Sequence, residues 1–360
     1  MRHGQTIPLA TRFPGIKYKP IMRRLSCPVC DNRVFFENFG CLVCGAEFAF
    51  DAARGHMARL AGDDGATACG NRGQFVCNWT AERGASLCEA CRLNSVIPNL
   101  SFAGNLDRWR KIEQAKRRAI YDIVRLGLPI EPRSPANPGG LTFQFLSADL
   151  AAAPVMTGHD SGLITLDIAE ADDDIREQRR TQMHEPYRTL VGHFRHELAH
   201  YYFERLALPS SDINACRFVF GDERADYQEA LQRHYQNGAP GDWQQRFISA
   251  YASSHPYEDW AETFAHFVHI VATMDTALDL GFGEARSVKI ADPYHTDDFD
   301  ALIRAFLPIT EKVNEINRSM GQPDMYPFVL SDEVKGKLHF IHMIVAKHAR
   351  PRTTQSVDAA

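Results

Sequence analysis

Apolar positions recur at helical spacing through most of the chain beyond residue 105 and alternate in only two short runs. From Leu106 to Leu128, Trp109, Ile112, Ala115, Ala119, Ile120 and Ile123 form one buried stripe of a helix. Leu141–Leu146 and Leu163–Ile168 alternate and predict strands, and a turn-rich stretch, Gly158–Gly162, leads into the second. Arg33–Phe39 has the aromatic and β-branched content of another strand. Tyr187–Leu206 holds no proline and one glycine, with Pro186 where a helix can start. Further helices are expected over 220–236, 243–252, 256–280, 298–318 with a kink at Pro308, and 331–348. Leu208–Asp212, Asn237–Gly241 and Ser253–Pro256 break them, and Ala169–Asp174 is polar enough to cap a short helix. Few strands and many helices, with a separate N-terminal module described below, make the expected class α+β.

Composition narrows the class. The apolar share of 44%, charged share of 24% and net charge of -5 over 360 residues fit a globular protein of two or three domains. The charge balance favours neither nucleic acid nor a polyacidic protein, and no apolar run approaches a membrane span. Residues 1–24 are basic and lack the apolar core of a secretory signal, so they are expected to be a disordered tail, as is the polar stretch 351–360.

Eight of the nine cysteines fall between Cys27 and Cys91. Cys27 and Cys30, then Cys41 and Cys44, form two C-x-x-C knuckles whose four thiolates can close a tetrahedral zinc site. Cys69, Cys77, Cys88 and Cys91 form a second set with one wider loop. With no signal peptide, metal in a reducing cytoplasm is a better expectation than disulfides. Four thiolates leave no open position, so both zincs are expected to be structural, stabilising a ribbon module over 25–97.

His196-Glu197-Leu198-Ala199-His200 is the sequence H-E-x-x-H. On a helix the two imidazoles lie one turn apart on one face and can share an ion, while Glu197 reaches a metal-activated water as general base. Zinc needs a third protein ligand. The pattern H-E-x-x-H-x-x-G-x-x-H, with a glycine three and a ligand histidine six residues after His200, is excluded, because Phe203 and Leu206 stand there. Glu258 and Glu262, four apart in a helix opened by Pro256, fit instead. Glu258 is preferred as ligand, with Glu262 holding the far nitrogen of a ligand histidine; the reverse assignment is the competitor. His255, His266 and His269 are weaker candidates, and His193 is expected to be structural. The strand 163–168 is expected to be an edge that pairs with an extended peptide.

HELAH followed by a Glu258-x-x-x-Glu262 helix resembles the gluzincin clan of zinc metallopeptidases. Tyr251, seven residues before Glu258, with Phe264 following, resembles the anthrax lethal-factor branch. That resemblance implies that Tyr251 faces the site and stabilises the oxyanion or protonates the leaving amine, with His255 the alternative. More closely, Gly192–Tyr202 and Glu258–Thr263 are similar to a bacterial family of zinc-ribbon metallopeptidases, over about residues 25 to 350. It implies an N-terminal ribbon, a mostly helical zincin-like domain over 104–350 with a small sheet, one catalytic and two structural Zn2+ ions, and a peptide or protein substrate. A second reading makes the ribbons docking modules for protein or nucleic acid on a degenerate scaffold. The basic face of Asp107–Arg125, with Arg108, Arg110, Lys111, Lys116, Arg117, Arg118 and Arg125, is its support.

Overall fold

The computed structural model describes residues 25–350 apart from 63–64, 148–154, 156, 184–188, 283–289 and 327. The two expected tails and Pro186 lie outside the described residues. The ribbon carries a hairpin, β1 (Phe48–Asp51) against β2 (His56–Arg59), antiparallel. The expected strand over 33–39 does not form; only Arg33 bridges Ser26. That segment instead wraps so that Phe36 packs on Phe50 and Tyr121, ring centroids 4.9 and 5.2 Å away.

The second domain is built on a four-stranded sheet in the order β3 (Asn94–Val96), β4 (Thr142–Leu146), β6 (Leu163–Asp167), β5 (Gly158–Asp160). β3 and β4 run parallel to their neighbours, and only β5 is antiparallel. β3 follows Cys91 almost directly, so the ribbon and the sheet are stitched together within the stretch 91–96 rather than joined by a free linker. β6 is hydrogen-bonded on both sides and therefore cannot be the peptide-pairing edge expected of 163–168; the edge strands are β3 and, next to β6, β5. Two glycines allow this. A Cβ at Gly140 would lie 2.4 Å from the Pro132 carbonyl oxygen, and at Gly162, with φ +87°, 2.5 Å from two more carbonyls.

The helices are α1 (Asn105–Leu126), α2 (Asp173–Met183), α3 (Leu190–Tyr202), α4 (Ile213–Phe220), α5 (Tyr227–Asn237), α6 (Trp243–Arg246), α7 (Pro256–Asp279), α8 (Phe299–Ser319) and α9 (Asp332–His348). α3 starts where Thr189 accepts a hydrogen bond from the Gly192 N–H, and it ends in a π-helical turn, Phe203–Ala207. α7 starts at Pro256 behind His255, whose ring accepts from the Tyr257 N–H. α3 lies between α1 and α7, with α8 and α9 behind α7. Phe194 of α3 packs edge-on to Phe143 and Phe145 of β4, fixing the helix over the sheet.

The helix expected over 243–252 breaks after Arg246. Phe247 is extended, and Ser249 accepts from the Ala252 N–H to start a new 3-10 turn, Tyr251–Ser253. The break turns Ser249 and Tyr251 toward the centre described next.

Candidate metal centre

The one-turn spacing on α3 brings His196 Nε2 within 3.1 Å of His200 Nε2, with the rings nearly perpendicular at 84°. α7 supplies Glu258, whose Oε2 lies 3.0 Å from His196 Nε2 and 3.5 Å from His200 Nε2. Trp260, two residues on and fully buried, donates its indole N–H to the Ala199 carbonyl at 3.0 Å and pins α7 to α3. Zinc at ~2.0–2.1 Å from each ligand of a tetrahedron implies ligand–ligand edges of ~3.3 Å. The three observed edges bracket that value. Glu258 Oε2 and Glu197 Oε2 are buried with no hydrogen-bond partner, as expected where a cation and its water sit. Two imidazoles and a buried acid facing one point thus fit a divalent ion.

The surrounding side chains fix the orientation of these groups. His196 Nδ1 donates to Glu262 Oε1 at 2.7 Å, which leaves the Nε2 lone pair for an ion; Ser249 Oγ donates to the other oxygen of Glu262, also at 2.7 Å. Tyr227 Oη donates to Glu258 Oε1 at 2.6 Å, leaving Oε2 as the oxygen that faces the imidazoles. His200 is held against Tyr257, the ring centroids 4.1 Å apart and the planes tilted by 31°. Burial opposes ionisation of Glu258, but the adjoining His200 and His196 outweigh it and hold the carboxyl well below its usual range. Burial opposes the charged form of His193 too, yet Glu170 and Glu197 on either side raise its pKa to about 9.

The two cysteine sets also close. Cys27 and Cys44, Cys30 and Cys41, and Cys77 and Cys88 each have sulfurs 3.6 Å apart, near the ~3.75 Å edge implied by a Zn–S distance of ~2.3 Å. Backbone N–H groups of Val29 and Val43 point at Cys27 and Cys41, and those of Trp79 and Cys88 at Cys77 and Cys69. Among the described residues these two sets and His196, His200 and Glu258 are the metal-type clusters. The second set is wholly buried, whereas Cys30 and Cys44 of the first are exposed.

Residues 105–344 match the family described as "Putative zinc-binding metallo-peptidase", and residues 24–102 match a zinc-ribbon domain. The chain belongs to this metallopeptidase family. Uncharacterized proteins of Mycobacterium bovis and of Mycobacterium tuberculosis are each 43% identical to it over 327 residues, covering 90% of this chain and 95% of theirs. No solved structure matches it.

Within this family member His196, His200 and Glu258 converge on one point, Glu262 stands behind His196 on its Nδ1, and the Tyr251 ring lies 6.1 Å from that of His196. His255 is spent on the backbone: besides capping α7 it donates Nε2–H to the Ala225 carbonyl, so it does not serve as the alternative oxyanion donor. His266 meets Tyr326 and His269 meets Arg195, both deep in the core. No motif or spacing pointed to Tyr227 or Ser249, which reach the site from separate elements. Nor did it point to His159 of β5, stacked toward His200 at 6.2 Å, its pKa lowered to about 4 by burial and by His200.

The basic face of α1 is not a free surface. Arg108 pairs with Asp172, Arg110 with Asp107, Lys116 with Glu113, Arg118 with Glu37, and Arg125 with Asp275 and Asp292. Lys111 and Arg117 donate to the carbonyls of Ala171 and Val76. These cations are spent on pairs within α1, on the ribbon, on α7 and on neighbouring loops, so the basic face lends no support to nucleic-acid docking. Among the described residues no helix is long and apolar enough to cross a membrane.

Proposed function

We propose that this chain hydrolyses peptide bonds with a zinc ion held by His196, His200 and Glu258. The observation that carries the reading is the triangle of Nε2, Nε2 and Oε2 atoms beside the unpartnered Oε2 of Glu197. Zinc in such a site supplies an acidified water and a Lewis acid for the substrate carbonyl. Glu197 Oε2 takes the proton of the attacking water and returns it to the leaving nitrogen. Tyr251 is the donor to the carbonyl oxygen as it becomes negative, a role supported by its place next to His196. β5, the sheet edge packed near α3, is the strand that an extended substrate would pair with. The two cysteine sets hold structural zinc, which suits a reducing compartment.

Metal analysis combined with peptide-library cleavage tests this. Wild type should carry three zincs per chain and His196→Ala two. Glu197→Gln should keep three and cleave nothing. Full cleavage by Glu197→Gln would falsify the mechanism.

A further inference from the structure

His193 lies one turn before Glu197 on the same face of α3, and both its ring nitrogens meet carboxylates. Nε2 is 3.2 Å from Glu197 Oε1, and Nδ1 is 2.7 Å from Glu170 Oε2. Glu170 comes from the 3-10 turn Ile168–Ala171 that follows β6, and it is 1% exposed. Its other oxygen accepts from Thr157 Oγ1 at 3.2 Å, and the same hydroxyl accepts from the Asp167 N–H. Thr157 immediately precedes β5. A chain of hydrogen bonds therefore runs from the sheet edge through Glu170 and His193 to one oxygen of Glu197. The other oxygen of Glu197 is left buried and without a hydrogen-bond partner.

We propose that Glu170 and His193 are positioning residues that fix which oxygen of Glu197 does the proton transfer. This role rests on the peptidase reading above. A carboxylate on a two-carbon stem rotates freely about its last bond. Bonding Oε1 to an imidazole N–H stops that rotation and presents Oε2 alone to the reacting centre. The imidazole would itself turn if held at one end, and Glu170 holds the other end. His193 gives up no proton in the reaction; Glu197 alone takes one and returns it. Glu170 is the member that the sequence could not indicate, because it lies outside the H-E-x-x-H helix on the strand side of the domain.

The test uses zinc-loaded full-length protein and four variants: His193→Ala, His193→Gln, Glu170→Gln and Glu197→Gln. A glutamine at 193 can still donate to Glu197 Oε1, so it is the rescue. His193→Ala should keep three zincs and lower kcat about 10- to 100-fold with KM within about twofold, the size of effect seen when partners of site groups are removed. His193→Gln should recover most of that loss. Glu170→Gln, which preserves shape and an acceptor, should fall between. Binding of acetohydroxamate, a small zinc chelator whose O–H seeks the Glu197 carboxylate, should weaken in His193→Ala and recover in His193→Gln; calorimetry reads it without turnover. If His193→Ala melts at a lower temperature, Glu170→Gln and His193→Gln carry the test. Wild-type kcat and hydroxamate affinity in both His193→Ala and Glu170→Gln, with Glu197→Gln inactive, overturn this role alone. Equal losses in His193→Ala and His193→Gln overturn it as well. A wild type lacking the third zinc overturns the peptidase reading, and this role with it.

Discussion

Glu262 Oε1 accepts the Nδ1–H of His196 at 2.7 Å, so in the proposed zinc site the acid one turn beyond Glu258 would orient His196 instead of competing for the ion. The second oxygen of Glu262 is already taken by Ser249. The two acids thus have different tasks, and their variants should differ. Glu258→Ala should reduce zinc from three to two per chain. Glu262→Ala should retain three at saturating zinc but weaken the third by about 10- to 100-fold. Chelator competition measures both. A Glu262→Ala protein that loses the ion outright while Glu258→Ala keeps it reverses the assignment.

Tyr227 should matter to metal affinity although it is far from the motif in sequence. Its hydroxyl donates to Glu258 Oε1 at 2.6 Å. Burial and the neighbouring Glu258 raise its pKa beyond any working pH, so it stays a donor. A hydrogen bond to a charged group contributes about 1.5–3 kcal/mol, so Tyr227→Phe should weaken zinc at this site by roughly 10- to 100-fold. Unchanged zinc affinity in Tyr227→Phe would show that Glu258 needs no such hold.

The two thiolate sites should differ in what they stabilise. Cys91 of the buried set leads into β3, and its sulfur faces Glu113 of α1, which in turn binds Lys116 and Asn94. Loss of that zinc uncouples the ribbon from the sheet and leaves a charged pair buried without its surroundings. Cys88→Ser should therefore lower the Tm of the whole chain and its helical circular dichroism transition. Cys44→Ser, at an exposed corner of the first set, should lower zinc content by one with a smaller loss in Tm. Equal Tm losses in the two variants would contradict this.

Acid should destabilise the protein partly through His266. Burial is the main cause that lowers its pKa from 6.5 to about 4; Glu262 opposes this and His196 reinforces it. The folded state therefore binds this proton less readily than the unfolded state. The contribution is fully present above pH 6.5 and is lost as pH falls from 6.5 to about 4, by up to ~3 kcal/mol. Urea midpoints measured across that window should fall less steeply in His266→Gln than in wild type. Parallel curves for the two proteins would place the acid sensitivity elsewhere.

The sequence by itself determined the parts whose partners are close along the chain. Four-residue spacing placed His196 with His200, and Glu258 with Glu262, before any fold was known, because a helix turn is a local object. Paired knuckles did the same for each cysteine set. Long stripes set α1, α7, α8 and α9, since burial of one face repeats every turn. The tertiary structure decided everything that depends on which elements meet. It made β5 the edge in place of β6, broke the helix after Arg246 so that Ser249 and Tyr251 reach the site, and consumed the cations of α1 in internal pairs. It also brought Tyr227 to Glu258 and Glu170 to His193. Those contacts join separate elements, and a single polar residue on a helix or turn carries no periodic signal that names its partner across the fold.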